Sequence, residues 1–258
     1  MASVHATAVV AAGACLAADV QVGPFAVIGS EVEVGAGTTI ASHVVIAGRT
    51  RIGRGNRIFQ FASVGEIPQD RKYGGEPTAT EIGDDNVIRE FVTIHAGTVL
   101  DRGTTSIGDR NWLLAYAHVA HDCVVGNDTT FSNNAQLAGH VVVGDHAVLG
   151  GFVGVHQFCR IGAYAMVAAG SIVLQDVPPF VTASGYPAKP HGTNGEGLRR
   201  RGFAASDIIA IRRAYKALYR NKLSLDEARA AIAAEAGKVP ALGIMAEFLE
   251  TPGRGIIR

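Results

Sequence analysis

Residues 119–143 read VAHDCVVGNDTTFSNNAQLAGHVVV, and an apolar residue falls on every sixth position: Val119, Val125, Phe131, Leu137 and Val143. A period of six fits neither the 3.6-residue turn of an amphipathic helix nor the two-residue alternation of a half-buried strand. It fits a coil of short strands joined by tight corners, each hexad making one side and pointing its aliphatic residue inward. Outward from this stretch the beat continues through Leu113 and Ile107 on one side and Leu149, Val155, Ile161, Val167 and Val173 on the other. An earlier run goes from Val4 to Val64 in steps of six, and a shorter one takes Ile82, Ile88, Ile94 and Leu100 before the phase slips by one residue. Of these 27 positions only Phe131 is not Val, Ile or Leu. The next residue is Gly at 11 of them and Ala or Ser at 8 more, which suits a tight corner. Many residues two before the beat are small as well, as a narrow interior requires.

An internal repeat of this length decides the architecture. With three sides a coil takes 18 residues, so Val4 to about Asp176 makes roughly nine to ten coils, stacked at the ~4.8 Å strand spacing into a prism on the order of 45 Å long. The expected class is mainly β, a parallel β-helix. The repeat alone does not fix its hand, since right-handed crossovers are only the general norm. The beat is interrupted at residues 67–81, a stretch rich in Gly, Pro and charge that reads as a loop thrown out from the prism. It ends after Pro178-Pro179, and residues 185–202 read as a turn-rich connection. Helical patterns follow. Ile208, Ile211, Tyr215 and Leu218 share one face, with Arg212, Lys216 and Arg220 along another. Ser224-Leu-Asp-Glu227 is a capping box opening a second helix, and residues 239–250 make a third. The expected domains are 1–188, the β-helix with its loop at 67–81, and 189–258, an α-helical C-terminal domain.

Composition narrows the class of function. The 258 residues are 48% hydrophobic, with a mean hydropathy of +0.20. The longest apolar run, Ala8 to Ala18, falls short of the roughly 20 residues a membrane span needs. It has no basic flank before it, so neither membrane insertion nor a signal peptide is expected. Three cysteines at 15, 123 and 159 follow no metal spacing and read as free thiols of a cytoplasmic protein. Net charge is zero but unevenly spread: residues 1–188 hold 10 Lys/Arg against 16 Asp/Glu, and residues 189–258 hold 13 against 7. The basic tail suggests an acidic or phosphate-bearing partner, and nothing in the sequence points to nucleic acid.

Nine histidines occur, and an 18-residue coil gathers some of them. It places His121 beneath Gly139 and Asp122 beneath His140, with His118 near the same corner. Allowing for the slip, His95 falls about one coil below Leu114. Two chemistries suit such a cluster. In one, an imidazole oriented by a carboxylate acts as general base, and a Gly one coil above offers its backbone N–H to an oxyanion. In the other, three imidazoles bind zinc and activate water, as in a hydratase, with a neighbouring subunit supplying part of the set. A non-catalytic solenoid would show one polar residue repeated along a face, and no face carries such a ladder.

Four segments carry a family resemblance: His118-Val-Ala-His-Asp-Cys123, Ala135-Gln-Leu-Ala-Gly-His140, Val155-His-Gln-Phe158 and Glu196-Gly-Leu-Arg-Arg-Arg-Gly-Phe203. They resemble the UDP-N-acetylglucosamine acyltransferases of the hexapeptide-repeat superfamily, and the resemblance spans essentially the whole chain. It implies a left-handed β-helix, a homotrimer with active sites between subunits, and no metal or cofactor. It implies transfer of an (R)-3-hydroxyacyl group from acyl carrier protein to the 3-hydroxyl of UDP-N-acetylglucosamine, the first step of lipid A biosynthesis. By motif, His121 would be the base, Asp122 its orienting carboxylate and the Gly139 amide the oxyanion donor. His118, His140 and His156 match histidines that contact substrate or support the site. Asp70, Lys72, His95 and Gln157 match holders of the sugar nucleotide, and Asn194, Glu196, Arg200 and Arg201 match positions around the uridine and diphosphate. Ala169 stands where long-chain-selective relatives carry Gly, which implies a shorter acyl chain. Ala96 replaces an expected Arg, and Pro187 a His found in some relatives. Other hexapeptide acyltransferases share the repeat. Those that N-acylate glucosamine carry an extra N-terminal domain, which is not expected here because the beat starts at Val4.

Overall fold

In the computed structural model, which describes residues 2–251 and 253–258, the hexads wind into a left-handed parallel β-helix of three sheets with eleven, nine and eight strands. The 18-residue coil is visible in the register: Val119 pairs with Leu137, Leu137 with Val155 and Val155 with Val173. Apart from Leu100, every beat residue from Val22 to Val173 is buried. Burying one such side chain is worth about 1.5–3 kcal/mol, so the stacked ladders carry most of the stability. Val4 in the first coil is half-exposed because no coil lies beneath it. A second inward row sits two residues before the beat and includes Ala117, Cys123, Ala135, Val141, Ala147 and Val153. Its small side chains let the three sheets approach closely. Burial pushes the Cys123 thiol up to about 12 and the Cys159 thiol to about 11, so both are held as inert thiols.

The inner row turns polar where the coils are interrupted. Thr38, Asn56, Asn86, Asn111 and Thr129 are buried one above another. The Asn56 Oδ1 accepts from the Asn86 backbone and amide at 2.9 and 3.0 Å, the Asn86 Oδ1 from the Asn111 N–H at 2.8 Å, and the Asn111 Oδ1 from the Thr129 N–H at 2.9 Å. The first three of these bonds tie together coils whose spacing is not 18, and the last joins a regular coil. Between Asn56 and Asn86 the step is 30 residues, and between Asn86 and Asn111 it is 25.

The 30-residue step contains the loop expected at 67–81, which runs between the strands Ser63–Glu66 and Ala79–Ile82. The 25-residue step contains a second loop, about residues 97–103, that the one-residue slip concealed. Leu100 belongs to this loop and is 65% exposed, so it is not an interior residue. His95 is displaced by the same correction. Its strand, Thr93–His95, pairs Thr93 with His118, which sets His95 against His118 rather than below Leu114.

After Pro179 the strand Val181–Gly185 turns back antiparallel as Ala188–Thr193. The supposed connection at 185–202 therefore holds a strand and a short helix, α1 (Gly195–Arg200), capped by the Asn194 side chain. Three longer helices follow: α2 (Ala205–Tyr219), α3 (Leu225–Ala236) and α4 (Pro240–Glu250). Ile208, Ile211, Tyr215 and Leu218 form the buried face of α2. Ser224 and Glu227 make the expected capping box on α3, a motif worth ~1 kcal/mol. Among the described residues no helix is long and apolar enough to cross a membrane.

Candidate active site

His121 and Asp122 lie at the corner between the strands His118–Val119 and Val124–Val125. Asp122 has the left-handed φ of 59° that this corner imposes, and its N–H donates to Thr105 Oγ1 at 2.9 Å. Its carboxylate is buried and well supplied with donors. Oδ1 accepts from the Thr98 N–H at 2.9 Å, and Oδ2 accepts from Thr98 Oγ1 at 2.6 Å and from His121 Nδ1 at 2.9 Å. Burial pushes the acid's pKa up. The two Thr98 bonds, then His121 and His140, outweigh it and hold the group below its ordinary value. An ionised carboxylate only accepts, so the His121 Nδ1 carries a proton, and in the neutral ring the lone pair is on Nε2.

The ring of His121 fills the space over Gly139, one coil above. A Cβ at 139 would lie 2.5 Å from Cε1 and 2.6 Å from Nε2, so the position tolerates only glycine while the ring stays in place. Among the described residues the Gly139 N–H has no acceptor, and it is thus available next to Nε2. His140 has φ 64° and donates its N–H to the His121 carbonyl at 3.0 Å. Its ring lies edge-on to His121 with centroids 4.9 Å apart and stacks on Phe158 at 4.3 Å. His118 Nδ1 bonds Thr93 Oγ1 at 2.7 Å, and His95 Nδ1 donates to the Ile67 carbonyl at 2.8 Å. The two rings meet edge to face at 5.3 Å.

Two depressions meet at His121. One, of about 480 Å³, runs up the face of the nine-stranded sheet past Ala138, Gly154 and His156 to Ile172 and Leu174, and is mostly apolar. The other, of about 770 Å³, is polar and charged, lined by Asp70, Arg71, Lys72, Asp101, His140 and Gln157. Gln69 and His121 border both. The structure thus brings together Asp70, Lys72, His95, His118, His121, Asp122, Gly139, His140, His156 and Gln157. It does not bring Asn194, Glu196, Arg200 or Arg201 to this pair of depressions within one chain. Asn194 caps α1 and donates to the Tyr164 carbonyl at 3.0 Å, Glu196 pairs with Arg199 and Arg200, and the Arg201 guanidinium lies 6.0 Å over the Tyr164 ring. Ala169 sits at the corner preceding the strand Ile172–Val173, across that sheet from the His121 corner, and is exposed. Ala96 is buried with its N–H on the Glu66 carbonyl, and Pro187 lies in the turn of the C-terminal hairpin. Thr98, Asp101, Gly154 and Ile172 are the site residues that sequence reasoning missed. The first two lie in the concealed loop, and the last two look like ordinary hexad positions.

The ligand atoms of His121, Asp122 and His140 lie within 4.8 Å of one another. This is two imidazoles and a carboxylate, not the three convergent imidazoles of the zinc reading. Both Asp122 oxygens already accept hydrogen bonds, and the Nδ1 atoms of His95 and His118 are engaged elsewhere. The donor set fits a general base better than a zinc centre.

Burial, followed by the neighbouring His95 and His121, pushes the His118 imidazole down to about 4 from 6.5. Between those values the unfolded chain binds more protons than the native one, so the stability this group contributes is complete above about pH 6.5 and is lost as pH falls toward 4. The Tm is expected to drop between pH 7 and 4.5, and less steeply in His118→Gln; equal slopes would contradict this assignment.

Comparison with known proteins gives a consistent result. Residues 176–257 match the family described as Udp N-acetylglucosamine O-acyltransferase, domain 2, and residues 16–48 and 104–139 match the bacterial transferase hexapeptide. The acyl-[acyl-carrier-protein]–UDP-N-acetylglucosamine O-acyltransferase of Thiobacillus denitrificans is 59% identical over the full length of both chains. Among solved structures, the UDP-N-acetylglucosamine O-acyltransferase of Moraxella catarrhalis is 46% identical with a TM-score of 0.97, covering 99% of each chain. The Francisella novicida UDP-N-acetylglucosamine acyltransferase is 42% identical with a TM-score of 0.97, covering 99% of this chain and 94% of its own.

Proposed function

The chain belongs to the UDP-N-acetylglucosamine O-acyltransferase family, and we propose that its acyl group is an (R)-3-hydroxyacyl group and its acceptor the sugar 3-hydroxyl. The reaction is that of the family, acyl transfer from acyl carrier protein to UDP-N-acetylglucosamine, the first step of lipid A biosynthesis. The observation that carries the finer reading is the position of His121, where an apolar groove meets a charged cleft. An acyl chain suits the first and a sugar nucleotide the second, and the atoms that must react meet at the junction.

In this reading His121 Nε2 takes the proton of the 3-hydroxyl as its oxygen attacks the thioester carbonyl. Asp122 steadies the imidazolium, and the free Gly139 N–H receives the oxyanion. The tetrahedral intermediate collapses by breaking the C–S bond, and the imidazolium returns its proton to the departing thiolate. Asp70, Lys72, His95 and Gln157 hold the sugar nucleotide, and His118, His140 and His156 contact substrate or support the site. Ala169 limits the acyl length, and Asn194, Glu196, Arg200 and Arg201 act from the adjacent copy of a homotrimer. Their distance from the His121 corner in a single chain supports that arrangement. A division of labour between residues 1–188 and 189–258 follows, the second part serving carrier and nucleotide. The chemistry calls for no cofactor and suits a cytoplasmic enzyme. UDP-N-acetylglucosamine added to 3-hydroxyacyl carrier protein should release the carrier thiol at a rate unchanged by chelators; no thiol release, together with zinc in the purified protein, would favour the zinc hydratase instead.

Arg212, Lys216 and Arg220 are exposed along α2 and its C-cap. As the docking line for an acidic carrier, their triple reversal to Glu should raise the KM for acyl carrier protein by roughly tenfold at low salt and less at high salt. A KM unchanged across salt concentrations would remove them from the docking surface.

A further inference from the structure

The loop at 97–103 has been given no role in the reaction, yet it grips the catalytic corner twice. Thr98 gives both its N–H and its hydroxyl to Asp122. Three residues on, Asp101 Oδ2 accepts the His140 Nδ1–H at 2.7 Å. The same His140 Nδ1 lies 3.9 Å from Asp122 Oδ2. That oxygen is the one on which His121 depends, and its two acceptor directions are already taken by Thr98 Oγ1 and His121 Nδ1. A third donor would have to displace one of them. The Thr98 bond, at 2.6 Å, is the shorter, so the bond at risk is the one to His121 at 2.9 Å. His140 is confined by its stack on Phe158 and its edge contact with His121. Which carboxylate receives its Nδ1–H therefore depends mainly on a small swing of the ring.

We propose that Asp101 is a positioning residue: by holding the His140 Nδ1–H, it keeps His140 off Asp122 and reserves Asp122 Oδ2 for His121. It touches no reacting atom and acts through His140 on the orientation of the base. The inference rests on His121 being that base. Asp101 is suited to the task because it is exposed on a loop whose neck is closed independently, by Gly103 N–H on the Thr98 carbonyl at 2.9 Å. Removing its carboxylate should leave the fold intact.

The test is a mutant cycle read in steady-state acyl transfer. Asp101→Ala should lower kcat on the order of tenfold, a part of the ~10²–10⁴ that a general base supplies, with the KM for UDP-N-acetylglucosamine and the Tm unchanged. Asp101→Asn retains an acceptor for the Nδ1–H and should recover most of the loss. In a His140→Phe background, which keeps the stack on Phe158 but has no Nδ1–H to divert, Asp101→Ala should have no further effect. An equal loss in that background, or a loss confined to KM, would overturn the proposal. His121→Ala run alongside separates the two readings. If it is inactive while the cycle shows no coupling, Asp101 alone has been misassigned; if it is active, the base itself has been.

Discussion

His121→Ala is expected to lower kcat by about 10²–10⁴-fold while the protein still binds UDP-N-acetylglucosamine with near-normal affinity. The expectation follows from where the ring is held. Its Nδ1–H is committed to a buried carboxylate that other donors keep ionised, so Nε2 is the basic atom and has one orientation. In the proposed reading the sugar nucleotide is held by Asp70, Lys72 and Gln157, which line the charged side of the junction, and these are untouched by the substitution. Loss should therefore appear in turnover and not in binding. Calorimetric titration of the variant with UDP-N-acetylglucosamine, beside its acyl-transfer rate, checks both halves. A variant with retained kcat, or one that fails only because the nucleotide no longer binds, would remove His121 from the role of base.

Gly139→Ala should cost about 10²-fold or more in kcat/KM, by a different route. The added methyl would stand 2.5–2.6 Å from two atoms of the His121 ring. The ring cannot easily retreat, because Nδ1 is tied to Asp122 and His140 closes its other side. Gly139 does not have the positive φ that strains alanine, so the backbone itself accepts the change. The expected variant is folded, with an ordinary Tm, and has a displaced base and a crowded oxyanion site. A Tm within a few degrees of the parent together with near-normal activity would show that the ring has more room than the structure gives it.

Much of this arrangement was legible in the sequence, for a physical reason. Each inward side chain of the prism is a separate buried aliphatic, so the repeat is written directly in residue type. Between Ile107 and Val173 the coils are uniform, and simple addition of 18 placed His121 under Gly139 and Asp122 under His140, as their register has it. The first loop adds 12 residues to its coil, two whole hexads, and was visible because its composition changes while the phase does not. The second adds seven, and Leu100 happened to fall on the beat inside it, so an insertion looked like a slip of one. That coincidence put Leu100 in the core, moved His95 away from His118 and hid Thr98 and Asp101. The buried Asn56, Asn86 and Asn111 mark both irregular coils. A polar residue repeated at an interior position was the signal that would have exposed the second loop. The tail is less legible, because the helix capped by Asn194 is short and rich in glycine.

The most direct measurement is the structure of the product formed from UDP-N-acetylglucosamine and a mixed pool of 3-hydroxyacyl carrier proteins, by mass spectrometry and NMR. The account predicts one 3-hydroxyacyl group in ester linkage to the sugar 3-oxygen, with a single chain length dominating the product. Acylation at nitrogen or at another hydroxyl, or no acyl transfer at all, would contradict it.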